Sequence, residues 1–170
     1  MRSVICVCRH LAARDYRRLT LSYFTAMGTM TLLLITLDAR RIAVKETIRS
    51  DMAPAAIGPY SQAVKAGGFL FISGQIPIDP DTNQIVEGDA AVQTDRVLRS
   101  IRGILDDSGA TLQDVVRTTI YLTHMEDFAQ VNEVYARYFP TEPPARVTVQ
   151  VSRLPKDVRV EIDAIAWLGE

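Results

Sequence analysis

Two segments near the end of the chain alternate apolar and polar residues, at positions 146–151 and 158–164. Their polar positions include Arg146, Thr148 and Glu161. An arginine can bind a carboxylate through paired donors, and a glutamate can transfer protons. If the segments form an antiparallel hairpin through residues 154–157, with Thr148 opposite Glu161, then Arg146 and Glu161 share one face. The simpler interpretation is an exposed face of salt bridges, which such alternation usually means.

The other residue types that could perform chemistry do not form a recognisable site. Cys6 and Cys8 are too closely spaced to staple a fold, and a zinc site would need two further ligands. His10 and His124 are far apart in sequence, and no Ser or Cys near His124 makes a nucleophile pair with it. Glycine-rich phosphate-binding and dinucleotide-binding patterns are absent from the sequence. We therefore expect no metal, no cofactor and reduced, incidental thiols.

Periodicity predicts the elements that position the two alternating segments. Besides those segments, the predicted elements are strands at 45–49, 61–66, 69–73 and 114–123 and helices at 89–107 and 128–138. The double glycine Gly67-Gly68 predicts a hairpin, while Gly109 and Pro140 end the two helices. This order predicts an α+β domain with two helices on one face of a mixed sheet. If the helices cover the valine side of the alternating strands, the polar side must meet water or another subunit.

Composition and charge limit the class of protein. The chain has 170 residues, of which 48% are hydrophobic and 23% charged, and this predicts one soluble globular domain. Its formal net charge of -1 lacks the positive field that non-specific nucleic-acid binding needs, although a local basic patch stays open. We therefore expect neither a nucleic-acid partner nor a membrane partner.

The first part of the chain differs in charge from the rest. Residues 1–44 contain seven arginines against two aspartates, hence +5. Either translation begins later, at Met27 or Met30, or this stretch is a mitochondrial transit peptide. Its apolar patch at 32–35 is too short to span a bilayer. We therefore separate an N-terminal extension, residues 1–44, from the domain, residues 45–170, which we expect in the cytoplasm, or in mitochondria if the extension targets it there.

Short blocks of sequence follow one another in a specific order along the domain. They are AIGPYSQA at 56–63, SGQIP at 73–77, VNEVY at 131–135, PAR at 144–146, LP at 154–155 and VEI at 160–162. As an ordered set they resemble the RidA (YjgF) family, the reactive-intermediate imine deaminases, from about Lys45 to Trp167. The resemblance implies a chorismate-mutase-like fold and a homotrimer with clefts between neighbouring subunits. Such an assembly would cover the polar face of the sheet.

The resemblance also implies roles for individual residues. Arg146 matches the family arginine that binds the substrate carboxylate, and Glu161 matches the glutamate beside the reacting carbon and its water. The positions that line the same cleft are Tyr60, Ser73, Gly74, Asn132 and Thr148. The implied reaction is the hydrolysis of 2-enamino or 2-imino acids, such as 2-aminoacrylate, 2-iminobutanoate or 2-iminopropanoate, to a 2-keto acid and ammonia, without a metal or an organic cofactor.

The lining residues have structural alternatives. Tyr60 could plug a loop into the core, Ser73 and Thr148 could satisfy backbone groups, and Asn132 could cap or brace a helix.

The function also has alternatives. One is a non-enzymatic trimer of the same fold that binds a small ligand or another protein, with chaperone-like behaviour or inhibition of translation, and a weaker one is RNA cleavage. Fold alone does not decide between them. The presence of both Arg146 and Glu161 favours the deaminase, because a binding trimer needs no acid beside a carboxylate anchor.

Overall fold

The computed structural model describes residues 45–169, which form a mixed sheet of six strands with two helices on one face. The strands are β1 (Glu46–Ile48), β2 (Ala63–Ala66), β3 (Phe69–Gln75), β4 (Val115–Leu122), β5 (Ala145–Gln150) and β6 (Val160–Trp167). The helices are α1 (Ala90–Asp107) and α2 (Phe128–Tyr138). The strand order is β1-β2-β3-β6-β4-β5. The α+β class and the predicted order of elements are confirmed. The predictions for residues 1–44 lie outside the described residues.

Each helix buries one apolar side against the sheet, as its periodicity predicts. The Asp89 side chain begins α1 by accepting a hydrogen bond from the Val92 N–H at 2.9 Å. The helix residues that supply the core are Val97, Leu98, Ile101, Ile104 and Leu105 of α1 and Val131, Val134 and Tyr135 of α2. Within residues 45–169, no helix is both long enough and apolar enough to cross a membrane.

The predicted hairpin joins β2 to β3. Gly67 and Gly68 have φ angles of +57° and +79°, and two consecutive left-handed residues match the twist of antiparallel strands. β1 pairs with β2 at one edge of the sheet, as the short strand at 45–49 predicts.

The predicted hairpin between β5 and β6 is wrong. β5 lies at the other edge of the sheet, parallel to β4, and β4 separates it from β6. The cause is the connection through α2, because a strand, a helix and a second strand place the two strands parallel and side by side. Thr148 therefore pairs with Ile120 of β4 instead of facing Glu161.

Pairing through β4 also decides which way the side chains of β5 point. Arg146 is in register with Thr118, which is buried under the helices. Glu161 is in register with Tyr121, on the face away from the helices. The prediction that Arg146 and Glu161 share one face is therefore wrong, since the two side chains leave the sheet on opposite sides.

The sheet face away from the helices keeps large apolar side chains exposed, namely Phe69, Phe71, Val147, Val149 and Trp167. The prediction that the helices cover the valines is right for Val160 of β6 and wrong for β5. The parallel register with β4 turns the β5 valines away from α2. An exposed apolar surface of this kind is typical of an interaction site.

Candidate active site

A bulge in β3 brings a glycine against the carboxylate of Glu161. The register of β3 against β6 shifts between Ile72 and Gln75, so that Ser73 and Gly74 face a single residue of β6. Bulges of this type are frequent next to active sites. A Cβ atom on Gly74 would overlap Glu161 Oε1 and lie 2.9 Å from its Cδ. The carboxylate therefore occupies the space that any side chain at position 74 would need.

The surroundings of Glu161 favour its protonated form. Burial raises the pKa of the Glu161 carboxyl above its ordinary value, and the negative charge of Asp163 raises it further. Tyr121, in register with Glu161 on β4, donates a hydrogen bond to Asp163 Oδ2 at 3.0 Å. Burial and this contact with Asp163 also raise the pKa of Tyr121. A carboxyl group in such surroundings can hold a proton closer to neutral pH and donate it.

The loop that carries Tyr60 is anchored by Gln62. The buried Gln62 amide donates to three carbonyl groups of residues 50–54 at 2.9 to 3.1 Å, and its Oε1 accepts from the Ser50 N–H at 2.8 Å. Tyr60 itself is exposed and lines a small depression together with Gly74. The fold therefore brings Tyr60 and Gly74 together, and Tyr60 does not plug the core.

Ser73 is engaged with the backbone of the same loop. Its hydroxyl donates to the Ser61 carbonyl at 2.7 Å, and its N–H donates to the Gln62 carbonyl at 3.0 Å. These bonds tie the bulge of β3 to the residues that follow Tyr60. Ser73 therefore satisfies a backbone group within this chain, as its alternative role predicts, and it lies directly beside Gly74.

The guanidinium of Arg146 lies on one side of α2. Its Nη1 donates to Asn132 Oδ1 at 2.8 Å, and its Cζ lies 4.8 Å from the ring centre of Tyr135 and 5.7 Å from that of Phe128. Phe128, Asn132 and Tyr135 are spaced i, i+4 and i+7, so they project from the same side of the helix. A guanidinium has five N–H donors in one plane, and the bond to Asn132 leaves enough of them to bind a carboxylate bidentately.

Thr148 lies on the same side of β5 as Arg146, two residues along the strand. Its Oγ1 is buried, and no group within residues 45–169 forms a hydrogen bond with it. The alternative that Thr148 satisfies a backbone group is therefore not realised in the described part of the chain.

The candidate residues form two groups. One contains Tyr60 of the loop before β2, Ser73 and Gly74 of β3 and Glu161 of β6, and the other contains Asn132 of α2 and Arg146 and Thr148 of β5. β5 and β6 are two strand spacings apart, about 10 Å, with β4 between them. Because Arg146 and Glu161 also point to opposite faces, one chain does not bring them to a common ligand. Across residues 45–169, no three His, Cys, Asp or Glu side chains lie close enough together to hold a metal ion.

Sequence reasoning missed the aromatic residues that contact Arg146. Phe128 and Tyr135 fit the apolar side of α2, and apolar side chains at helical spacing usually belong to a core. The signal that could have identified them is their spacing with Asn132, which places a polar side chain between two aromatic ones on one helix face. Tyr121 was missed as well, because its place beside Glu161 depends on the pairing of β4 with β6.

The fold and the two groups of residues define a small α+β protein with an arginine available to an anion and a partly buried glutamate. The family profile described as Endoribonuclease L-PSP matches residues 50–168. The chain belongs to this family, which includes the RutC and RidA (YjgF) proteins. The resemblance that the sequence blocks indicate is thereby confirmed.

Individual relatives are similar over nearly the whole domain. A RutC family protein of Pyrococcus horikoshii is 60% identical over 124 residues, which are 73% of this chain and 98% of that protein. Reactive Intermediate Deaminase A, chloroplastic, of Arabidopsis thaliana is 47% identical over 124 residues, 73% of this chain and 66% of that one. The crystal structure of E. coli TdcF with bound serine has a TM-score of 0.70 and 41% identity, and the match covers 73% of this chain and 99% of TdcF.

Proposed function

We propose that this protein hydrolyses 2-imino and 2-enamino acids, such as 2-aminoacrylate, 2-iminobutanoate and 2-iminopropanoate, to 2-keto acids and ammonia. The observation that carries the proposal is the arrangement of Arg146, which Asn132 and two aromatic rings hold with further donors available for a carboxylate. The relative named Reactive Intermediate Deaminase A supports the reaction. The serine bound to TdcF supports a ligand of amino-acid size with a carboxylate.

The working unit is a homotrimer in which each site lies between two chains. Arg146 and Glu161 leave the sheet on opposite faces, so a common ligand requires Arg146 of one chain and Glu161 of the next. The exposed apolar side chains on the face that carries Glu161 support its burial against a neighbouring chain. A ring of three heterologous contacts closes without leaving an unmatched surface. This assembly requires no cofactor.

The reaction needs a carboxylate anchor and a group that both gives and takes a proton. Arg146 binds the substrate carboxylate, and protonated Glu161 donates its proton to the terminal carbon of the enamine, which becomes an iminium ion. The Glu161 carboxylate then accepts a proton from the water that attacks the C=N carbon. The resulting carbinolamine collapses as Glu161 donates a proton to the amino nitrogen and takes the hydroxyl proton; the C–N bond breaks, and the keto acid and ammonia leave. For 2-aminoacrylate, the enamine and one water yield pyruvate and ammonia, so all atoms are accounted for.

Release of ammonia from freshly generated imino acids tests the proposal. A dehydratase acting on serine or threonine, or an amino-acid oxidase, supplies the unstable substrate, and ammonia is followed with and without the protein. We expect faster ammonia release with the protein than from spontaneous hydrolysis. If a folded trimer accelerates release from none of the imino acids, the deaminase proposal is wrong and a binding role replaces it.

Mixed trimers test whether each site combines two chains. Chains carrying Arg146→Ala and Glu161→Gln are co-expressed with different tags, and trimers holding both tags are purified. Every such trimer has one junction at which an intact Arg146 meets an intact Glu161, so we expect about one third of wild-type activity. Each variant alone is the control and should be nearly inactive at substrate concentrations below the wild-type KM, at which the mixed trimers are also measured. Mixed trimers as inactive as the single variants would contradict the shared site.

Gly74→Ala is expected to lower kcat while leaving the domain folded. The added methyl group must displace the Glu161 carboxylate, whose side chain can rotate away, and misplacing a catalytic group by about 1 Å reduces rates about 100-fold. Gly109→Ala, just after α1, is the control, because its methyl group would meet nothing within 4 Å; its φ of +76° can lower the melting temperature, but kcat should not change. Ammonia release gives kcat and thermal melts report folding. An unchanged kcat in Gly74→Ala would mean that the position of Glu161 is not important.

RNA cleavage is a second candidate because the matched family is described as Endoribonuclease L-PSP. The near-neutral charge of the chain does not favour binding to a phosphate backbone. Retention of labelled RNA at two salt concentrations separates the candidates, since true RNA binding weakens steeply as salt rises.

We place the deaminase in the cytoplasm, or in mitochondria if residues 1–44 act as a transit peptide.

A further inference from the structure

The ring of Tyr135 is fixed by one contact at the end of α2 and one contact with the sheet. The side chain is only 4% exposed, and its ring centre lies 4.6 Å from that of Phe139. Its hydroxyl forms a 2.7 Å hydrogen bond with Thr118 Oγ1, and Thr118 has no exposed surface. A buried hydroxyl without a partner would be costly, so the bond constrains the tilt of the ring as well as its position.

The same Thr118 is the register partner of Arg146. The two residues are neighbours on β4 and β5 and face the same side of the sheet, so Tyr135 spans both of them. Its hydroxyl end binds Thr118, while its ring face lies 4.8 Å from Arg146 Cζ. Burial raises the pKa of Tyr135, which keeps the phenol neutral, and a neutral aromatic ring attracts a guanidinium through its electron-rich face.

Asn132 and Tyr135 restrict the Arg146 guanidinium in different ways. Asn132 binds one guanidinium nitrogen at its edge, which alone would let the group pivot about that bond. The ring of Tyr135 lies beneath the Cζ atom at 4.8 Å, whereas the ring of Phe128 lies farther away at 5.7 Å and is 39% exposed. A hydrogen bond at one nitrogen and an aromatic ring beneath the Cζ atom together restrict rotation of the guanidinium, and so limit the directions in which its remaining donors point.

We propose that Tyr135 is a positioning residue that holds the Arg146 guanidinium in the plane required for bidentate binding of a substrate carboxylate, with Thr118 fixing the ring. This inference rests on the proposed function for the identity of the ligand. The proposed role gives a purpose to the buried hydrogen bond between the Tyr135 and Thr118 hydroxyls, since two apolar side chains at these positions would have packed equally well. It also explains why an exposed arginine has a defined orientation before any ligand binds.

Variants of Tyr135 separate positioning from packing. Tyr135→Leu removes the ring face, and we expect KM for the imino acid to rise about tenfold while kcat changes less than twofold, in line with the loss of a cation–π contact. Tyr135→Phe and Thr118→Val keep a ring or a β-branched shape, and we expect KM to rise about two- to threefold. Tyr138→Phe is the matched control, because the Tyr138 hydroxyl binds Asp95 instead of the Arg146 region. Thermal melts report folding of each variant.

A coupling measurement shows whether Tyr135 acts through Arg146. In the background of Arg146→Ala, which leaves no cation for the ring to contact, Tyr135→Leu should raise KM further by less than twofold. Equal effects of Tyr135→Leu in both backgrounds would mean that Tyr135 merely supports the fold, and the proposal would be overturned. A fall in kcat with unchanged KM would overturn it as well.

The orientation of Arg146 can also be measured without catalysis. The Arg146 Nε–H signal in a ¹⁵N spectrum should show a ring-current shift in the wild type that disappears in Tyr135→Leu and persists in Tyr138→Phe. Pyruvate, a stable carboxylate, serves as the titrant and should bind about tenfold more weakly to Tyr135→Leu. If the wild type releases no ammonia, the proposed function fails while these two readouts still decide the role of Tyr135. Absence of both effects overturns the positioning role even in an active enzyme.

Discussion

Arg146→Ala is expected to reduce kcat/KM for imino acids by about 100-fold or more, because truncating one partner of a hydrogen-bonded charge pair costs about 2 to 5 kcal/mol. The loss should appear mainly in KM, since the arginine binds a carboxylate that does not itself react. The trimer should still assemble, because the hydrogen bond and the ring contacts described for Arg146 are made to α2, and the substitution leaves the exposed apolar face of the sheet unchanged. Ammonia release and size-exclusion chromatography measure the two effects.

Arg146→Lys distinguishes charge from geometry. Lysine keeps the positive charge but lacks the planar fork, so we expect it to recover only a small part of the lost binding. Full activity of Arg146→Lys would mean that charge alone is sufficient. Undiminished turnover by Arg146→Ala would remove the carboxylate anchor from the mechanism.

Glu161→Gln is expected to lower kcat by about 100-fold or more, with KM nearly unchanged, because positioned acid–base groups contribute about 10² to 10⁴ to the rate. Glutamine has the same shape and still fits against Gly74, so packing at the bulge is preserved. Steady-state ammonia release, corrected for spontaneous hydrolysis, measures the effect. A kcat within a few-fold of the wild-type value would exclude Glu161 as the proton donor.

The pH profile gives a second test of the same residue. Burial and the charge of Asp163 raise the pKa of Glu161 above 4.5, and the reaction begins from the protonated acid. Activity should therefore be highest below the raised pKa and fall as the pH increases through it. The profile of Glu161→Gln should lack this decline. A wild-type rate that rises through the same range would assign Glu161 the role of a base from the start.

With rising pH, stability should fall in the same direction as activity, whereas Glu161→Gln should lower activity without lowering stability. The folded state binds the Glu161 proton more tightly than the unfolded state, so the free energy of unfolding decreases as the pH rises from the unfolded pKa through the folded one. At pH 7 the wild type carries this cost and Glu161→Gln does not. We therefore expect the melting temperature of Glu161→Gln at pH 7 to equal or exceed that of the wild type. Near pH 4 the difference should be smaller.

Local sequence signals predicted the helices and the first hairpin closely. The predicted helix at 128–138 matches α2, and the helix at 89–107 differs from α1 only at its first residue, Asp89, which is the N-cap. Apolar spacing, capping residues and a double glycine act over a few residues, so their effect is visible in the sequence. The candidate site residues came from the family resemblance, and all but Thr148 lie in its sequence blocks; the structure places them in two groups.

The failures concern pairing between distant segments. The alternation in residues 146–151 identifies a strand but not its partner, because either face of an alternating strand can be buried. The connection through α2 made β4 the partner, in parallel, and this sent Arg146 to the helix side and Val149 to the open side. The pairing of β5 with β4 also separates Arg146 from Glu161 within one chain.

The sequence alone determined the α+β class, the order and limits of most elements, the family and the residues that could bind a carboxylate and transfer a proton. These properties depend on local spacing and on residue identity. Only the tertiary structure decided that Arg146 and Glu161 lie on opposite faces, that Glu161 rests against Gly74, and that Tyr135 supports Arg146. Strand order and register depend on how segments far apart in sequence bury their surfaces together, and no local pattern specifies that outcome.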